Sequence, residues 1–459
     1  MKNATLTLLV GAAMTACVPP TDHDDDTNAS TASEESSESE STGEPQPLCP
    51  TETFGPTLHA DDIVGHEVWR AEDGPHIVMY TVDVREDAIL EIEPCAVVQL
   101  TEDTGINVAF PGTPTTGTLL AEGTAEQPIR FEGLHGNRWG QILVHTPGTA
   151  TLRHVTISGG GGFDTSGASL IAIGDGTFPT QRNLLVDHVT VEDSLGYGVN
   201  VTRHAAFADS STELVITGSG DELHPFPMMV DEHAIDSLPQ GDYTGNVVDE
   251  ILVEPHDRLE EDTTMKNLGV PYRIGSSPVD RFAVGKGDGD VATTLTIEPG
   301  TTLRFHPETA FEIDHYSGDR PARGNLVAVG TPDAPIVFTS AADVPAPGDW
   351  VGLWFGGIVN PETRLQHTQI EYTGFDCGCI LLTCNELEQF EGAVILSMPP
   401  SSMFITDSVI RHGAGHGIVQ GYDGENLDFA ASNSFEDLNG CEATLPRMPE
   451  CPDPRPTCE

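Results

Sequence analysis

The chain has 459 residues and carries 72 acidic side chains against 20 basic ones, a formal net charge of −52. So acidic a surface repels phosphate backbones and excludes a bare nucleic-acid binder. Only Lys2, Lys266 and Lys286 are lysines, so no polybasic patch exists to hold an anionic membrane surface. The length accommodates two or three domains of roughly 150 residues, or one elongated repeat body. Met1-Lys2-Asn3 forms a positive start, and the small-residue, leucine-rich run from Ala4 to Thr15 is shorter than the ~20 residues of a spanning helix. The pattern is that of an export signal.

Met14-Thr15-Ala16-Cys17 resembles the bacterial lipobox, with Met14 standing where leucine is usual. The resemblance implies that residues 1–17 are a lipoprotein signal peptide, that Cys17 is the lipid attachment site, and that the mature chain is exported. It implies an outer-membrane or cell-surface location in a Gram-negative bacterium, because Val18 stands where an aspartate would retain the protein at the inner membrane. Attachment through more than one acyl chain is stable, since each buried methylene contributes about 0.8 kcal/mol.

Residues 18–48 are almost all Pro, Thr, Ser, Asp, Glu and Asn, including Asp24-Asp25-Asp26 and Glu34-Glu35-Ser36-Ser37-Glu38. Such a segment has little apolar surface to bury and repels itself, which predicts an extended linker. Without Cys17, eight cysteines remain: Cys49, Cys95, Cys377, Cys379, Cys384, Cys441, Cys451 and Cys458. An even number in an exported chain favours disulfides, with the pairing left open. Cys377, Cys379 and Cys384 fall in one loop, without the paired knuckles of a zinc site. Cys441, Cys451 and Cys458 fall in a Pro-rich tail, residues 441–459, which suits a cap.

The body repeats itself. Ile89-Leu90-Glu91-Ile92-Glu93-Pro94 recurs as Leu295-Thr296-Ile297-Glu298-Pro299-Gly300, and Gly123-Thr124-Ala125-Glu126-Gln127-Pro128-Ile129 as Gly330-Thr331-Pro332-Asp333-Ala334-Pro335-Ile336. Trp139-Gly140 answers to Trp350-Val351-Gly352, Leu152-Arg153-His154 to Leu365-Gln366-His367, and Asp187-His188 to Asp407-Ser408. The expected halves are residues 49–220 and 221–440. Within each, apolar-x-apolar triplets such as Leu303-Arg304-Phe305 and Ile336-Val337-Phe338 are closed by Gly, Pro, Asp or Asn. Strands this short bury nothing alone. Coils of roughly 20 to 25 residues stacked ~4.8 Å apart bury a continuous inner column. The prediction is all-β: a right-handed parallel β-helix solenoid, rather than two sandwiches with longer strands.

Leu295 to Gly300, the Gly-Thr-x-x-x-Pro-Ile elements, Trp350-Val351-Gly352-Leu353 and Gly415-His416-Gly417-Ile418-Val419 resemble the pectin-lyase-like class of parallel β-helix proteins, over roughly residues 60–435. That resemblance implies a polysaccharide lyase or glycoside hydrolase as one function. Hydrolysis needs two carboxylates about 5 Å or 6.5 to 9.5 Å apart, and elimination a Ca²⁺-holding acidic cluster with a basic residue. Two patches come nearest: Asp187, His188, Glu192 and Asp193, flanked by Arg182 and Arg203, and Asp407, Arg411, His412 and His416. Outward residues of a coil are polar simply because they meet water, so solvated faces account for both. The halves also differ between Asp193 and the His412 neighbourhood. Gly287-Asp288-Gly289-Asp290 lacks the remaining ligands of a calcium loop and reads as a turn, leaving Asp288 and Asp290 as weak metal candidates and no firm cofactor. Gly159 to Gly162 has no following Lys-Ser/Thr and is no phosphate cradle. The expected function is a non-enzymatic surface lipoprotein, a binding or structural rod contacting glycan or protein. The alternative is a tethered carbohydrate-active enzyme.

Overall fold

The computed structural model describes residues 49–112, 114–163, 165–278, 280–285, 291–314, 323–375, 391–448 and 456–458. Cys17, the linker, Asp288, Asp290, Cys377, Cys379, Cys384 and Cys451 lie outside these residues. The described chain is an all-β parallel β-helix in which every pair of named strands runs parallel.

Each coil of the first half places a short strand on three faces in turn. One coil runs Ala88–Ile92, Val97–Leu100, Ile106–Val108, and the next Gly117–Glu122, Ile129–Gly133, Ile142–His145. The triplets alternate as a pleat requires: Leu90 and Ile92 point inward and are fully buried, while Ile89 and Glu91 are only half covered. Stacking aligns like residues in files, such as Trp69, Ile92, Ala121, Leu152 and Val186. Each buried Val, Ile, Leu or Phe in these files contributes about 1.5–3 kcal/mol relative to exposure.

The duplicated motifs perform duplicated backbone tasks. Trp139 Nε1 donates to the Ser158 carbonyl at 2.7 Å, and Trp350 Nε1 to the Glu371 carbonyl at 2.7 Å. Thr124 Oγ1 accepts from the Gln127 N–H at 3.1 Å and Thr331 Oγ1 from the Ala334 N–H at 3.0 Å, so the Gly-Thr-x-x-x-Pro element is a hydroxyl-closed turn. Gly117 and Gly324 pass so close to the Val84 and Val284 carbonyls that a Cβ would stand 1.8 and 2.3 Å from the oxygens.

The halves differ in how the faces are joined. In the first, strands Thr149–Ser158 and Gln181–Glu192 run straight through the corner between first and second faces, turning at His154 (φ 46°) and His188 (φ 55°). The two faces thereby merge into one sheet of twelve described strands. In the second half the corner at His367 (φ 50°) separates Arg364–Gln366 from Thr368–Glu371, which lie in different sheets.

A sheet of thirteen described strands runs the length of both halves, yet it changes its place in the repeat. The first half contributes its third-face strands, Ile106–Val108 and Ile142–His145. The second contributes Thr302–Phe305 and Ile336–Ser340, the sequence equivalents of second-face strands. The handover is the parallel pairing of Ile251–Val253 with Tyr272–Ile274. Just before it, a 3-10 turn, Glu232–Ser237, takes the place of a strand: Ser237 Oγ accepts from the Phe207 N–H at 3.1 Å, and Asp236 Oδ1 from the Thr264 N–H at 3.1 Å. This seam advances the repeat by one face.

Both ends are stapled. Cys49 is bonded to Cys95, and Cys441 to Cys458. Residues 441–447 lie along His416–Gln420, the edge strand of its sheet, through Gly417 N–H to Cys441 O at 2.9 Å, Thr444 N–H to Ile418 O at 2.9 Å and Arg447 N–H to Gln420 O at 3.0 Å. These bonds satisfy an edge that would otherwise stay open.

Candidate ligand-binding cleft

The second-face strands of the first half end in residues with left-handed backbone, Gly159 (φ 71°), Asp193 (φ 54°) and Gly218 (φ 65°). Each turn sends a loop outward before the third face begins. At Gly161, φ 96°, a Cβ would meet the Gly167 carbonyl at 2.0 Å, so the glycine run serves close loop packing. Arg138 ties two of these loops together, its Nη1 donating to Gly160 O at 2.8 Å and Asp193 O at 2.7 Å.

Between the loops and the outer face of the sheet lies a cleft of about 830 Å³, lined by Gln99, Glu132, His135, Arg138, Asp193 and Asp221 among others. Gln99 Nε2 donates to Glu132 Oε1 at 2.9 Å across the sheet surface. Asp221 Oδ1 accepts from the Leu223 and His224 N–H groups at 2.8 and 2.6 Å, which fixes its loop. A smaller cavity of about 360 Å³, bounded by Cys49, Cys95, Pro75, Pro128 and Arg130, shares Gln99 and Glu132 with the cleft. The two therefore adjoin along the second face.

Of the expected site residues, the cleft contains Asp193 alone. Asp187 is at the other end of the strand, beyond His188 and the stretch Val189–Glu192. At ~3.3 Å per residue the stretch Val189–Glu192 alone sets their backbones about 13 Å apart, wider than the spacing of a catalytic carboxylate pair. Asp187 belongs to an outward file, Glu122, Arg153, Asp187, on successive strands. Arg153 Nε contacts Glu122 Oε1 at 3.2 Å and its Nη1 pairs closely with Asp187. His188 Nδ1 lies 2.7 Å from Asp187 Oδ1, and its ring stacks on His154 at 4.6 Å. Burial pushes the Asp187 carboxyl up, but the His188 hydrogen bond and the Arg153 guanidinium outweigh it and hold the group below the ordinary carboxylate range. A carboxylate so held is a poor general acid. Arg182 pairs with Asp209 at 3.0 Å and Asp236 at 3.4 Å. Arg203, at the other edge, is an exposed turn residue with φ 57°.

The second expected patch also separates. Asp407 accepts from Gln366 Nε2 at 3.0 Å at the corner. Arg411 Nε donates to Glu371 Oε1 at 2.7 Å on the outer sheet face. His412 lies 3.4 Å from Asp437 and stacks on Tyr372, and His416 Nδ1 accepts the Cys441 N–H at 2.8 Å beneath the cap. Each of the four serves a different neighbour. The structure also corrects the repeat alignment by one residue: Asp407, φ 52°, turns the corner as His188 does, and Ser408 points inward where Val189 does. The left-handed equivalents of Gly159 and Asp193 are Tyr372 and His412.

Gln99, Glu132, Arg138 and Asp221 escaped the sequence analysis because they are spread over three coils and share no local motif. Left-handed glycines such as Gly159, Gly161 and Gly218 are a local mark of the loops that bring them together. Among the described residues no three His, Cys, Asp or Glu side chains converge as a metal site. No protein-family profile, curated protein or solved structure matches this chain.

Proposed function

We propose that the protein is a non-enzymatic glycan-binding rod of the cell envelope, exported and anchored through lipid at Cys17, with residues 18–48 as spacer. The observation that carries the binding role is the polar cleft on the second face, continued through Gln99 and Glu132 into the smaller cavity. Its lining offers three carboxylates, Glu132, Asp193 and Asp221, against the single guanidinium of Arg138. With a net charge of −52 behind it, such a surface repels polyanions. Sugar hydroxyls are donors that carboxylates and amide oxygens accept, so a neutral polysaccharide is the ligand class that fits. The anchor rests on the Met14-Thr15-Ala16-Cys17 resemblance.

The test is affinity electrophoresis of the full chain in galactomannan, xyloglucan and dextran, with polygalacturonate as the acidic comparator. Retardation by a neutral glycan, lost in Gln99→Ala/Glu132→Ala, is the expected result. Equal mobility in every gel rejects a glycan ligand, and shortened chains after incubation reject the non-enzymatic reading. For the anchor, Cys17→Ser is expected to move the protein from the membrane fraction to the soluble one. Unchanged partition overturns that part.

A further inference from the structure

At the seam between the halves two imidazoles are buried face to face. His204 and His233 stack with centroids 3.9 Å apart, 7% and 9% exposed, and Phe178 closes over both edge-on at 4.5 and 5.0 Å. Nδ1 of His204 has no hydrogen-bond partner among the described residues. His233 belongs to the Glu232–Ser237 turn that replaces a strand in the stack. We propose that this seam is an acid-operated joint: protonation of His204 and His233 releases the turn and loosens the coils on either side of it.

The charges around the pair explain why it holds when neutral and fails when doubly charged. On the turn itself, Asp231 spends both oxygens on backbone, accepting the His233 N–H through Oδ1 and the His204 N–H through Oδ2, each at 3.1 Å. Glu232, fully buried, accepts the His256 N–H at 2.9 Å and the Asp257 N–H at 2.5 Å, leaving only a 3.4 Å approach of its Oε1 to His233 Nε2. Asp257 and Glu261 face His233 from the following segment, and Asp175 faces His204 from the preceding loop. Arg182 neutralises Asp236 on the far end of the turn. One imidazolium can draw on these acids, whereas two stacked 3.9 Å apart in a desolvated site repel each other strongly.

Burial first, and then His204, pushes His233 below the ordinary imidazole value. A group lowered in this way contributes stability that is complete above about pH 6.5 and is lost as pH falls toward its folded value. Asp231, raised by burial and then by Glu232, works in the opposite direction, its contribution growing as pH falls.

Hydrogen exchange of the full chain at pH 7 and pH 5, corrected for intrinsic rates, tests the joint. The amides of His204, His233, His256 and Asp257 are expected to exchange at least about tenfold faster at pH 5, while the inner strands Ala88–Ile92 and Ile336–Ser340 stay protected. His204→Phe/His233→Phe keeps the ring stack without the charge and is expected to abolish the difference. Equal protection of the wild-type seam at both pH values overturns the proposal, as does a loss shared by all strands. Persistence of the effect in the double variant, or in His233→Gln should the double variant fail to fold, overturns it equally.

Discussion

The first and second halves of the solenoid carry the same motifs in the same order, yet only some of the matching residues do the same work. Trp139 and Trp350 each clamp the carbonyl that precedes a left-handed turn, and Thr124 and Thr331 close the same tight turn. The corner is different. Arg153 bridges Glu122 and Asp187 in the first half, where the second half has Gln366 opposite Thr406 and reaching sideways to Asp407. At the ends of the next strands, Gly159 and Asp193 answer to Tyr372 and His412, so a cleft wall in one half is a stacked ring pair in the other. What recurs is scaffold, and what varies is the outer surface. The cleft belongs to the unmatched loops.

Three experiments break or sharpen that equivalence. Trp139→Ala and Trp350→Ala should be the most damaging and should cost about the same, roughly 3–5 kcal/mol each, because both indoles are fully buried and both leave a carbonyl unpaired. Denaturant unfolding of the full chain checks this, and a difference of more than about 2 kcal/mol between the two means that the halves are not built alike.

The corner ladders should separate. Arg153→Ala is expected to cost about 0.5–1 kcal/mol, since its partners are partly exposed, and Gln366→Ala only a few tenths. The same pair has a pH signature. Asp187 is held below the ordinary carboxylate range, so its contribution is present above about pH 4 and lost as pH falls through its folded value. Asp187→Asn should therefore flatten the acid limb of the stability profile below about pH 4, and an unchanged limb removes Asp187 from the ladder.

Of the same order as Arg153→Ala, Thr124→Ala and Thr331→Ala should each lower stability by about 0.5–1 kcal/mol, the value of one amide-to-hydroxyl hydrogen bond in a turn. Thr→Ser at either position should recover most of the loss. If serine fails to do so, the methyl packing and not the hydroxyl closes the turn.

The strands and their stacking were legible because each triplet advertises itself: Leu303-Arg304-Phe305 or Ile336-Val337-Phe338 puts two apolar residues on one side of a pleat and ends in a turn residue. Asp193 was legible as a candidate only by its neighbours in sequence, and those neighbours misled. Asp187 is six residues away, across the corner at His188 and so on the first face. Gln99, Glu132 and Asp221 lie tens of residues apart and meet only because successive coils are superposed.

The sequence by itself determined that this chain forms short parallel strands, that two halves share one pattern, and that Trp139 and Trp350, and Thr124 and Thr331, are equivalent pairs. These follow from local chemistry: the pleat's period of two and the residues that close each turn. Only the tertiary structure decided which sheet each strand joins, because the three faces of a coil read alike and a strand's partner is set by the coil beneath it. For that reason the one-face advance at Glu232–Ser237, the buried His204–His233 stack that fills it, and the cleft beside Arg138 appear only when the coils are laid one upon another.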